Sequence, residues 1–140
     1  MSLAAVLTPV FLQVLLTFAL LFRLGMVRAA ALRQGGIDLD DVRLNGRAWP
    51  KLPLQVSSSF DNQFQIPVLF YAITALELIT HATDIFFVVL AWIFVVSRYV
   101  HAGIHITSNR VKFRFRAYSV GVAALILAWL LFAFKVYTGA

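Results

Sequence analysis

Residues 84–107 read DIFFVVLAWIFVVSRYVHAGIHIT, an apolar run whose second half carries Arg98, His101 and His105. The three stand at i, i+3 and i+7, so a helix presents them on one face. At about 20 residues for roughly 30 Å of hydrocarbon, the run is long enough to cross a bilayer. An ionisable group at that depth is costly and turns toward a bundle interior, a cavity or a polar interface. A cationic stripe in such a helix therefore points to a site that receives something anionic.

Working outward, the rest of the chain has the same character. Of its 140 residues 61% are hydrophobic and only 13% charged, with a mean hydropathy of +0.87, a balance that excludes an ordinary water-soluble domain. Helical segments are expected at approximately 3–26, 60–79, 85–106 and 112–137, the last having its apolar part from Tyr118 to Tyr137. The reading is an all-α integral membrane protein, one domain over 1–140, built as an up-down-up-down bundle of four transmembrane helices. No Lys or Arg precedes Arg23, so the basic n-region of a secretory signal is lacking and the first helix is expected to be retained.

Of the twelve Lys and Arg residues, six lie between Arg23 and Lys51 and five between Arg98 and Arg116, whereas the Thr80–Asp84 link has none. The positive-inside rule then puts the first and third connections in the cytoplasm and both termini on the opposite side, as expected in a bacterial inner membrane. The same flanking distribution accounts for the formal charge of +6 without nucleic acid, for which no motif is present. There is no Cys, hence no thiolate nucleophile in the chain, and any sulfur chemistry belongs to a ligand.

The longest connection, Arg28–Val56, contains Gln34-Gly35-Gly36, Asp38, Asp40, Asp41, Asn45-Gly46, Pro50 and Pro53, which are loop signals. A link of this length is expected to cover a site or contact a neighbouring subunit. Ser57, Ser58 and Ser59 read as caps at the start of the second helix, and Pro67 as a kink inside it. Ser58, Asp61, Asn62 and Gln65 form a polar stripe near its start. Thr80, Thr83 and Asp84 close a tight hairpin into the third helix, while Arg110, Arg114 and Tyr118 align on one face of the fourth. Three helices thus bring polar stripes to one membrane surface, and Glu77 and His81, near the other surface, receive no catalytic role.

Bland readings compete with each of these. Arg110, Lys112, Arg114 and Arg116 flank a span, as headgroup anchors do, and Arg114 stands out through its alignment with Arg110 and Tyr118. His101 and His105 have a spacing that lets two imidazoles meet one ion, but no third ligand is evident beyond the remote Asp61, so no metal is assigned. Asn62 and Gln65 equally suit hydrogen bonds between helices.

The stretch Phe60-Asp61-Asn62-Gln63-Phe64-Gln65-Ile66-Pro67-Val68-Leu69-Phe70-Tyr71 resembles the second-helix signature of the MAPEG family, the membrane-associated proteins in eicosanoid and glutathione metabolism. Ser97-Arg98-Tyr99-Val100-His101-Ala102-Gly103-Ile104-His105 resembles its third-helix signature, and Arg114 with Tyr118 matches an Arg and Tyr four apart on the fourth. The resemblance, to members of the bacterial type, implies a left-handed four-helix bundle assembled as a homotrimer, with glutathione as thiol co-substrate between subunits near the cytoplasmic face. It implies that Asn62 and Gln65 hold the tripeptide, that Arg98, His101 and His105 line the same pocket, that Arg114 faces the thiol and that Tyr118 supports it. Ser58 and Gln65 stand where the family pattern has Arg and Glu, which leaves Asp61 as the carboxylate available to the glutamyl amine. His105 stands where the family often has Tyr.

The chemistry is consistent with those implied roles. A thiol is reactive as thiolate, and a nearby Arg favours the charged form, each unit of pKa depression representing about 1.4 kcal/mol. The expected function is a membrane-bound glutathione-dependent transferase or peroxidase acting on lipophilic electrophiles or lipid hydroperoxides. The alternative is a non-catalytic relative that binds an anionic lipid or amphiphile in the same cationic pocket. A proton-coupled transporter is disfavoured, because no inverted repeat or broken-helix pair is visible.

Overall fold

A computed structural model describes residues 1–139 and shows helices with no strand among them. In chain order they are α1 (Leu3–Gln34), α2 (Leu39–Leu44), a 3-10 turn (Gly46–Ala48), α3 (Lys51–Asp61), a second 3-10 turn (Asn62–Phe64), α4 (Ile66–Ile79), α5 (Ile85–Ile106) and α6 (Val111–Thr138). Helices α1, α5 and α6 are each long and apolar enough to cross a membrane. Their outer faces carry Phe11, Phe18, Phe22, Phe86, Leu130 and Phe134 exposed, as suits side chains whose surroundings are lipid rather than water.

The helices differ from the expected segments at their basic ends. The first continues past Met26 to Gln34 and stops at Gly35, whose φ of 78° is readily adopted only by glycine. The Arg28–Val56 connection is therefore mostly helical, and only 35–38, 45 and 49–50 lie outside helices or 3-10 turns. Ser57, Ser58 and Ser59 are not caps. They lie inside α3, which begins at Lys51, and Pro53 is tolerated there because the first turn of a helix has no internal partner for its N–H. Pro67 likewise costs nothing, standing at the second position of α4. The bend expected at Pro67 is instead made by the turn before it, where Gln65 takes φ −97° and ψ −106°.

α5 and α6 form the tightest pair. Buried Gly121, Ala124 and Ala128 give α6 a face of small residues toward α5, the usual means of close approach between apolar helices. A Cβ at Gly121 would collide with Ser97 Oγ, which donates to the Phe94 carbonyl at 2.6 Å. The main core joins Val6, Phe70, Ile73, Phe87, Phe94, Leu125 and Phe132 across α1, α4, α5 and α6, with Phe70 stacked on Phe94 at 4.8 Å between centroids. Toward the basic end, Leu16, Leu20 and Ala102 pack with Phe60 and Ile106. The Tyr99 hydroxyl donates to the Leu12 carbonyl at 2.7 Å and so fastens α5 to α1.

At the end opposite the basic connections, the hairpin between α4 and α5 turns through His81 with φ 53°. Asp84 caps α5, its Oδ1 accepting from the Phe87 N–H at 2.8 Å. Its Oδ2 meets Lys135 Nζ at 2.9 Å, and the same ammonium reaches the Ala82 carbonyl at 2.8 Å and the buried Glu77 at 3.4 Å. This knot ties α4, the hairpin and the last turns of α6 together.

Candidate functional site

Arg98 lies on the inward face of α5 because the stripe it begins packs against α3 and α6 rather than facing outward. It is 1% exposed, the largest fully buried side chain in the chain. Its Nη2 donates to Asn62 Oδ1 in the turn after α3, and its guanidinium carbon lies 5.9 Å from the centre of the Tyr118 ring. Nε and Nη1 are buried without any hydrogen-bond partner. Among the described residues no carboxylate lies within ion-pair distance of it. A cation in this position is the costly arrangement that an opposite charge relieves.

The rest of the stripe continues the cluster. His101 Nδ1 lies 3.1 Å from the Arg114 carbonyl oxygen, and since a carbonyl only accepts, Nδ1 is the protonated nitrogen. The His101 Nε2 and the His105 Nδ1 are buried and unpartnered. The His101 ring sits 5.7 Å from that of His105 and 5.6 Å from that of Tyr118. Asn62, Arg98, Tyr118, His101 and His105 are therefore joined by successive contacts into one cluster, in which several polar atoms lack partners.

Other expected site residues lie at its margin. Gln65 is exposed and accepts from Asn62 Nδ2 at 3.0 Å, so Asn62 links the buried Arg98 to the surface. Asp61 and Ser58 are exposed and form no side-chain hydrogen bond or ion pair with this group. Arg114 joins the cluster through its backbone. Its half-buried guanidinium is held instead by Asn109, Nη1 to Oδ1 at 2.6 Å.

Three polar groupings were missed in the sequence reading. Asn109, the N–H of which bonds to the Ile104 carbonyl at 2.7 Å, takes φ 49° and clamps Arg114; an Asn in a short interhelical link is the signal, since Asn tolerates that conformation. Gln13 Nε2 donates to Gln63 Oε1 at 3.0 Å in the bundle interior, and a lone Gln inside the apolar α1 was the signal for it. Glu77 is remote from the stripe, as read, but serves the Lys135 knot.

The family model for MAPEG matches residues 6–134, a range that takes in the whole α5 stripe together with Asn62, Gln65, Arg114 and Tyr118. This chain belongs to the MAPEG family. No curated protein and no solved structure matches it. MAPEG membership includes glutathione-dependent transferases and peroxidases. In this MAPEG chain the neutral, exposed Ser58 and Gln65 leave Asp61 as the carboxylate of the polar stripe, and the buried cation of α5 is the group with unmet demand.

Proposed function

We propose that this MAPEG protein is a membrane-bound glutathione-dependent transferase or peroxidase that acts on lipophilic electrophiles or lipid hydroperoxides. The observation that carries the reading is Arg98: buried, without a carboxylate partner, and with two nitrogens directed at no acceptor. Glutathione brings two carboxylates and a thiol, and a carboxylate at Arg98 would supply both the counter-charge and the acceptors. The His101 Nε2 and the Asn62 amide would add further contacts. Arg114, permanently charged and steadied by Asn109, would favour the thiolate, with Tyr118 beside it supporting the bound sulfur.

The reading includes four crossings and three copies of one domain. α3, the turn at Asn62–Phe64 and α4 together form the remaining crossing, with the basic connections in the cytoplasm of a bacterial inner membrane. In a homotrimer the exposed Ser58, Asp61 and Gln65 would face a neighbour, where Asp61 could meet the glutamyl ammonium. The lipophilic substrate would approach from the surrounding lipid.

Titrating glutathione into the purified protein, with thiolate difference absorbance and thermal stability recorded together, tests the proposal. A saturable thiolate signal that disappears in Arg114→Ala, with assembly intact, supports it. No thiolate in the parent protein overturns it. A second reading follows from the neutral Ser58 and Gln65: the same pocket holds an anionic lipid or amphiphile and activates no thiol. Stabilisation by anionic lipid but not by glutathione, lost in Arg98→Gln, would decide for that reading.

A further inference from the structure

α1 runs well beyond the bilayer. Its 32 residues extend about 48 Å at 1.5 Å each, against roughly 30 Å of hydrocarbon. The apolar run ends at Phe22, and the following turns carry exposed Arg23 and Arg33 on either side of exposed Gly25, Met26 and Ala29. Arg33 folds back along its own helix toward the bilayer, Nε donating to the Ala29 carbonyl at 3.4 Å. Two grooves meet here. One, of about 580 Å³, runs from Leu21 and Phe22 past Gly25 and Met26 to Arg33. The other, of about 450 Å³, lies between Arg23, Met26 and Arg33 on one side and Ile37 and Leu52 on the other.

We propose that this end of α1 binds one anionic phospholipid of the adjacent leaflet, its phosphate between Arg23 and Arg33 and an acyl chain in the groove over Phe22, Gly25 and Met26. Charge complementarity names the occupant. Neither Arg23 nor Arg33 has an ion-pair partner among the described residues, and the 23–51 stretch holds six cations against three carboxylates. The groove is continuous with the outward face of a membrane-crossing helix, so a chain already in the bilayer reaches it without leaving hydrocarbon. Gly25 keeps the floor open, with nothing within 4 Å of the position a Cβ would take. The site is distinct from the Arg98 cluster, and it stands whether or not the protein activates a thiol.

The test uses the full-length protein in a neutral detergent, with native mass spectrometry of bound lipid and thermal unfolding as readouts. Dioleoyl phosphatidylglycerol should be retained and raise the unfolding temperature, whereas dioleoyl phosphatidylcholine should do neither. The double variant R23Q/R33Q should retain phosphatidylglycerol about 30-fold more weakly, each juxtamembrane cation contributing about five-fold, while Arg98→Gln leaves that retention unchanged. A glutathione thiolate signal unchanged in R23Q/R33Q would separate the two sites. Equal retention of both lipids, or retention undiminished in R23Q/R33Q, would overturn the proposal. So would inorganic phosphate alone giving the same thermal shift. The chain has no native cysteine, so Met26→Cys can report coverage: its failure to react with a maleimide in lipid-free protein would mean that a second copy, not lipid, fills the groove.

Discussion

The bundle holds a cation toward each end, one buried and one half-buried, and treats the two in opposite ways. Lys135 is surrounded by Glu77, Asp84 and the Ala82 carbonyl, so its charge is met within the chain. Arg98 is more deeply buried, has one amide partner, and keeps two nitrogens unsatisfied. The first arrangement joins three elements and leaves little for a ligand to add. The second holds an unmet demand in a fixed place, as a binding site does when it is organised before its ligand arrives. A polar group in a membrane protein is thus functional or structural according to whether its partners come with it.

The sharpest way to break this comparison is to remove each cation in turn. Lys135→Met leaves the buried Glu77 beside Asp84 with no cation, and should lower stability by about 3–5 kcal/mol in thermal or denaturant unfolding. Arg98→Met removes a charge with no counter-ion, so it should be neutral or stabilising by up to about 2 kcal/mol without ligand, while abolishing stabilisation by glutathione. If Arg98→Met proved as damaging as Lys135→Met, the contrast would fail and Arg98 would be a structural group.

Asp84 sharpens the paired end. Burial alone would raise its carboxyl, but the Phe87 N–H and the Lys135 ammonium hold it below its ordinary value of 3.8. A carboxylate whose folded pKa is depressed contributes stability that is complete above the unfolded value and is lost as pH falls through the folded one. Acid unfolding should therefore show a weakening below about pH 4, worth less than about 1 kcal/mol because the side chain is partly exposed. Asp84→Asn keeps the capping oxygen and should flatten that part of the profile. An unchanged profile would show that Asp84 acts as a cap only.

A further effect of similar size belongs to the helix contact between the two ends. Gly121→Ala should force Ser97 Oγ to rotate away from the Phe94 carbonyl, at a cost of about 1 kcal/mol. Adding Ser97→Ala should recover most of it. A double variant no more stable than the single one would place the strain in the backbone instead.

The α5 stripe was legible because three ionisable residues at helical spacing stand out in an apolar run, and the paired histidine rings follow from that spacing, whereas the Tyr118 ring reaches them from another helix. The Lys135 knot was not, because Lys135 and Glu77 lie 58 residues apart and only the fold brings them together. Arg114 illustrates a subtler limit. Its face was readable from Arg110 and Tyr118, but the direction of its guanidinium depends on Asn109, which stands outside any periodic pattern. The helicity of 51–61 was hidden by Pro50, Pro53 and three serines, residues that favour turns until a first-turn position makes them harmless.

The exposed stretch between Gly35 and Pro50 has a practical consequence. Arg43 and Arg47 stand in it with short helical pieces and no buried side chain around them, so trypsin should nick the native protein there before any long helix. In sealed vesicles of known orientation, cutting will depend on which aqueous compartment receives the enzyme. The resulting fragments would each retain unbroken crossings, turning this segment into a built-in reporter of how the chain is threaded through its membrane.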